Sequence, residues 1–270
     1  MIPRPIANNT RSTKHDATHH RRAATIAVRV ATIAIATVGA CKKPALQPTV
    51  THNNATVVVD APTAVAADAP NTDPSSLQRD CSNGNTRACY DLGVAYVDGT
   101  GVTKDATKAA VLFRQACAAG EMRSCAHLGF LYEHGTGVTK DAAKAAALFQ
   151  QACDSGEGTG CFNLGFLYSD GNGVAKDAAK AAALYQQGCD FGTMWSCFNL
   201  GVSYDKGVGV GKDATKAAAL YEQACTGGDI AGCYNLGILY ADGTGVGKDA
   251  TKAAALFQKA CAGGLREACN

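Results

Sequence analysis

The chain has 270 residues, enough for one or two domains, and a formal charge of +2 that is unevenly placed. Six basic residues (Arg4, Arg11, Lys14, Arg21, Arg22, Arg29) and one acid, Asp16, precede residue 41, which leaves 19 basic and 22 acidic residues beyond it. A mildly acidic body lacks the basic footprint that nucleic acid demands, so the chain does not read as a nucleic-acid binder.

Residues 1–40 have the layout of an export signal. A basic stretch ends at His19-His20-Arg21-Arg22, the apolar run VATIAIATVGA follows, and Val38-Gly39-Ala40-Cys41 offers a small-residue cleavage pattern with cysteine just after it. The arrangement resembles a bacterial lipoprotein signal. That resemblance implies an acylated Cys41 and a lipid anchor in the cell envelope, periplasmic or at the outer membrane. An uncleaved anchor helix fits less well, because Arg29 interrupts the apolar stretch that starts at Ala23. Residues 41–79 are rich in Ala, Thr, Pro, Val and Asp without helical or strand period, and are expected to form a flexible tether.

The rest, 80–270, repeats itself every 36 residues: CYDLGVAYVDGTGVTKDATKAAVLFRQAC from Cys89, then four similar segments from Cys125, Cys161, Cys197 and Cys233, all aligned without a gap. In the third, apolar residues at Phe162, Leu164, Phe166, Leu167 and Tyr168 fit a short helix A over 161–169. Asp170-Gly171-Asn172-Gly173 breaks it, Asp177 stands in N-cap position, and the alanine-rich 178–187 forms helix B. Glycine recurs inside helix A at Gly93, Gly129, Gly165, Gly201 and Gly237, each costing roughly 1 kcal/mol relative to Ala in an exposed helix. Recurrence in one register predicts close approach by a neighbouring helix. The tyrosines three residues on (Tyr96, Tyr132, Tyr168, Tyr204, Tyr240) are expected to pack between hairpins.

Stacked hairpins of this kind predict an all-α, right-handed α-solenoid of about five repeats with partial caps. The motifs L-G-x-x-Y, D-G-x-G-V-x-K-D and K-A-A-x-L-F resemble the Sel-one-like repeat, a relative of the tetratricopeptide repeat, over residues 81–269.

Twelve cysteines form six pairs eight positions apart: Cys81 and Cys89, Cys117 and Cys125, Cys153 and Cys161, Cys189 and Cys197, Cys225 and Cys233, Cys261 and Cys269. In one continuous helix, members of a pair would stand about 12 Å apart. A disulfide needs Cα atoms within roughly 7 Å, so bonded pairs require a turn, and Ala118-Ala119-Gly120 offers one. The alternative, metal binding, is disfavoured because C-x7-C lacks the tight ligand spacing of zinc sites. Pairing all twelve leaves Cys41 alone, and export to an oxidising compartment favours disulfides. Paired cysteines in 36-residue repeats further resemble the Helicobacter cysteine-rich proteins, secreted disulfide-bridged solenoids. That resemblance implies penicillin binding with slow β-lactamase activity; the lipoprotein signal and tether depart from it.

The residues themselves give that chemistry little footing. Ser203 and Lys206 match S-x-x-K without the accompanying S-D-N or K-T-G elements. His127 and His134 make two potential zinc ligands without a third. Gly-Val-Gly-Lys at 209–212 and 245–248 lacks the Walker spacing. No cofactor or metal is expected. The better candidates are the residues two after each helix A cysteine: Asp91, His127, Asn163, Asn199 and Asn235. They form a polar ladder that could hold an extended protein or peptide ligand, or alternatively satisfy backbone groups of the neighbouring repeat. The expected function is therefore a cell-envelope binding scaffold, with a β-lactam binder or hydrolase as the reading the resemblance adds.

Overall fold

A computed structural model of the chain describes residues 73–269. The expected signal segment, Cys41 and nearly all of the expected tether lie outside the described residues. Within them the chain is eleven α-helices and a closing 3-10 turn at Arg266–Cys269, with no strand among the described residues. The helices alternate. After α1 (Pro74–Ser82), the even-numbered members are α2 (Thr86–Asp98), α4 (Met122–His134), α6 (Gly158–Asp170), α8 (Met194–Lys206) and α10 (Ile230–Asp242). The odd-numbered ones are α3 (Ala106–Ala118), α5 (Ala142–Asp154), α7 (Ala178–Asp190), α9 (Ala214–Thr226) and α11 (Ala250–Ala262). Each helix packs on the ones before and after it, which is the solenoid arrangement expected.

Local chemistry sets each boundary. Every odd helix from α3 onward starts at an aspartate: Asp105, Asp141, Asp177, Asp213 and Asp249 accept the backbone N–H three residues on at 2.9–3.0 Å. The same aspartates donate their own N–H to the carbonyl of the preceding even helix's tyrosine, as in Asp177 to Tyr168 at 2.8 Å, and so close the hairpin. Each even helix ends on a left-handed glycine, such as Gly171 at φ 83°. The second loop glycine has a different task. A Cβ on Gly173 would meet the backbone and side chain of Ala142, the first residue of the odd helix one repeat earlier. D-G-x-G thus encodes one reversal and one contact between repeats.

Two expectations need correction. The even helices begin three residues ahead of their first cysteine, at Gly158 rather than Cys161 in the third repeat. Gly158 and Gly160 are poor helix formers, but a Cβ on Gly160 would lie 2.6 Å from the Ala152 methyl, so tight packing holds this turn where propensity does not. The expected tether end at 79 also moves back. Asp73 caps a helix with proline at its first position, and Leu77 and Cys81 are buried, so residues 74–79 belong to the array as its N-terminal cap.

All six cysteine pairs are disulfide-bonded, with Cα atoms 4.5–4.9 Å apart. The chain turns between them as expected, at Ala119 and Gly120 (φ 92°) in the second pair. Each bond joins the last turn of one helix to the first turn of the next, and closing so short a loop stabilises by about 2–3 kcal/mol in the chain-entropy model. The mid-helix glycines also behave as expected. A Cβ on Gly165 would stand 2.8 Å from the Tyr185 ring of the paired odd helix, and Gly129 and Gly201 meet Phe149 and Tyr221 in the same way. The helix A tyrosines are half-buried, and the first four bridge successive apolar clusters; Tyr168, for instance, packs against the clusters on both sides of it.

Candidate functional site

The even helices of neighbouring repeats touch one another, α4 with α6 and α6 with α8, whereas no two odd helices come together to the same extent among the described residues. The even helices are therefore the inner layer. On each, the positions two before, two after, five after and nine after the first cysteine fall on one stripe by helical spacing. Contacts within helices confirm the shared face: the Arg87 guanidinium pairs with Asp91 at 3.0 Å, and Phe130 stacks on His134 with centroids 4.1 Å apart. Along this stripe the polar ladder runs beside an apolar one, made of half-buried Val94, Phe130, Phe166 and Val202 and of Ile238, which is 37% exposed.

The ladder residues are not equivalent. Asp91 is held by Arg87. His127 donates its Nδ1–H to the Arg123 carbonyl at 2.9 Å and sets its ring against Tyr90 and Phe113, each 5.2 Å away; burial pushes its pKa below the ordinary 6.5. Asn199 donates to the Trp195 carbonyl at 2.8 Å. Asn235 lies near the Tyr221 hydroxyl, whose pKa burial raises strongly. Asn163 is 2% exposed, and its Oδ1 has no hydrogen-bond partner. The backbone groups that His127 and Asn199 satisfy thus belong to their own helix, not to the neighbouring repeat.

Two features of this face escaped sequence reasoning. Tyr90 has two guanidinium groups near its ring, Arg123 at 4.7 Å and Arg87 at 5.8 Å, and burial lifts its phenol to about 12. Two repeats on, Trp195 occupies the position of Arg123 and packs on Phe162, the equivalent of Tyr90, with centroids 5.9 Å apart. The signal for both was a departure from the repeat: positions 87, 123, 159, 195 and 231 hold Arg, Arg, Thr, Trp and Ala.

The Sel1 repeat family model matches five successive stretches, 86–121, 123–157, 159–190, 196–229 and 230–265. The chain belongs to the Sel1 repeat family. Among solved structures it is similar to a protective antigen of uropathogenic Escherichia coli strains that displays the same repeat fold (32% identity, TM-score 0.66), matched over 72% of this chain. It spans only 42% of that antigen's length. A Sel1 repeat protein from Oxalobacter formigenes is 27% identical over 72% of this chain and 77% of its own, with a TM-score of 0.65. The cysteine rich protein B of Helicobacter pylori is 35% identical over 48% of this chain and 93% of its own, at a TM-score of 0.40. No curated protein gave a match.

Within the Sel1 array, the residues singled out for β-lactam chemistry do not converge. Ser203 is 9% exposed, and its hydroxyl donates to the Asn199 carbonyl at 2.9 Å, an ordinary intrahelical bond. Lys206 sits exposed in the last turn of the same helix. His134 directs Nδ1 to the Phe130 carbonyl at 3.0 Å, as His127 does to Arg123, so neither ring presents that nitrogen to a metal. Among the described residues no cluster of three metal-ligating side chains occurs, and no helix is long and apolar enough to cross a membrane. Six disulfides in so small an array fit an oxidising, exported environment.

Proposed function

We propose that the protein is a lipid-anchored scaffold of the cell envelope that captures a protein or peptide segment along the inner face of its even helices. The observation that carries this reading is the in-register pairing of a polar ladder (Asp91, His127, Asn199 and Asn235, with Asn163 the buried rung between them) with an apolar one from Val94 to Ile238 on the same stripe. An extended segment presents backbone amides and side chains at regular intervals, and such a double ladder suits both. Sel1 repeats typically serve protein–protein interaction, which supports the class of partner. The disulfides support export, and the cysteine at the end of the signal-like segment supports attachment through Cys41.

The test is affinity capture from envelope extracts, followed by titration of the captured segment against wild-type protein and Asn199→Ala. Binding should weaken by about tenfold, an effect near 1.4 kcal/mol, while the melting temperature changes little. A large loss of stability with binding intact would assign the ladder to packing. Sustained nitrocefin hydrolysis, abolished by Ser203→Ala, would instead favour the β-lactam hydrolase reading that resemblance to the cysteine-rich family adds.

A further inference from the structure

Away from the inner face, the second repeat carries a notch of about 290 Å³ lined by Arg114 of α3, Tyr132 of α4, the loop residues Val138 to Asp141, and Lys144 of α5. We propose that this notch binds a phosphate monoester dianion. The first support is charge. Three cations line it against one carboxylate, Asp141, whose oxygens are already committed to the Lys144 backbone N–H at 3.0 Å and the Lys144 ammonium at 2.9 Å. Arg114 and Lys140 enter no ion pair among the described residues. Arg114 makes one long bond, from Nη2 to the Tyr132 hydroxyl at 3.4 Å, which leaves most of its donor fork open. Glu133, 8% exposed, lies in electrostatic range of Lys140, and burial raises its carboxyl pKa. The surplus of about two positive charges matches a dianion better than a carboxylate, and guanidinium with two ammonium groups and a phenol is a donor set suited to tetrahedral phosphate oxygens.

The second support comes from comparing the repeats. The tyrosine and the lysine equivalent to Lys144 recur in every one, and their role is architectural: the ammonium lies 4.2–5.5 Å from the ring centroid in all five. The lysine before the cap recurs too. Arg114 does not. Its five counterparts, Gln78, Gln150, Gln186, Glu222 and Gln258, are neutral or acidic, so the hairpin does not need a cation there. Every other charged residue of the notch recurs from repeat to repeat, and Arg114 alone does not.

The phosphate could belong to a soluble monoester or to a lipid headgroup, and the experiment separates them. Full-length oxidised protein is titrated with phenyl phosphate and, separately, with acetate at low salt, following the amide resonances of 138–144. Phenyl phosphate should give saturable shifts confined to that loop, and Arg114→Gln, which installs the residue most other repeats carry, should weaken binding by about tenfold at unchanged melting temperature. Gln150→Arg should create a second saturable site in the next repeat. Flotation with phosphatidylcholine vesicles containing phosphatidic acid, against vesicles containing phosphatidylglycerol, identifies the source. Arg114-dependent retention on phosphatidic acid alone assigns a lipid headgroup, and saturable phenyl phosphate binding without it assigns a soluble monoester. Equal shifts with acetate, or undiminished affinity in Arg114→Gln, would overturn the proposal.

Discussion

Replacing Phe149 by tyrosine should stabilise the array by giving Asn163 a partner. On the inner layer two ladder residues lie beside an aromatic ring of the preceding odd helix: His127 stands 5.2 Å from Phe113, and Asn235 lies near the Tyr221 hydroxyl. The same register sets Asn163 against Phe149, which is fully buried and has no hydroxyl, and the Asn163 Oδ1 is unpaired. An orphaned buried acceptor costs about 1–3 kcal/mol, and a neutral hydrogen bond returns about 1 kcal/mol net. The ring itself sits equivalently: a Cβ built on Gly165 or Gly201 would lie 2.8 Å from the Tyr185 or Tyr221 ring, and one on Gly129 would lie 2.7 Å from Phe149. Phe149→Tyr should therefore gain about 1 kcal/mol, or roughly 2–4 °C in melting temperature for a chain of this size. In an Asn163→Leu background the new hydroxyl loses the amide oxygen and has in register only Glu133, at the place of the Ser169 beside Tyr185, so the same substitution should gain less. Thermal unfolding of the four oxidised proteins followed by circular dichroism completes the cycle. Equal effects of Phe149→Tyr in both backgrounds would refute the reasoning, since the amide oxygen would then not face that ring.

Gly165→Ala sets two effects against each other: about 1 kcal/mol of added helix propensity, and a methyl 2.8 Å from the Tyr185 ring and 3.3 Å from the Ala181 carbonyl that should cost about 1–3 kcal/mol in overpacking. The net should be a lower melting temperature, and a higher one would show that the ring yields freely. His127 is neutral in the folded state because burial lowers its pKa, so the unfolded chain binds the extra proton first; its contribution is complete above pH 6.5 and is lost as pH falls below that value toward the depressed folded pKa. His127→Asn should flatten the stability profile just below pH 6.5, and denaturant unfolding of both proteins across that range would reveal an unchanged slope if the ring were already solvated.

What the sequence disclosed depended on what recurred. Gapless repetition made the helix caps at Asp105 to Asp249, the loop glycines and the cysteine pairs readable, because each obeys a local rule and appears several times. The start of the even helices was not readable. Gly158-Thr159-Gly160 has no helical preference of its own and is held by packing on Ala152, a contact made by a segment of another helix. The N-terminal cap at Asp73-Pro74 was missed for the opposite reason: it follows a standard capping rule but stands outside the repeat, next to a stretch without periodicity. The polar ladder was legible as a register. Its hydrogen bonds were not, since equivalent asparagines differ: Asn199 turns back to a carbonyl of its own helix, while the Asn163 Oδ1 finds no partner.

The same division bears on where function lies in this chain. A residue present in every repeat is accounted for by what every repeat must do. The lysine beside the tyrosine ring, the capping aspartate and the paired cysteines hold one hairpin and fasten it to the next. Those residues would serve equally in an array that bound nothing. Specificity must come from positions where the repeats disagree while the backbone does not, and these include 87, 123 and 195 beside the ladder, His127 within it, and Arg114 on the outer notch. Most of them lie in the first two repeats, which carry the guanidinium groups around Tyr90, whereas Trp195 and the asparagines lie further along. The inner face is accordingly charged at its N-terminal end and apolar and amide-rich beyond it. A segment bound along it would meet charged groups at one end and an aromatic anchor at the other, which would fix its direction as well as its position.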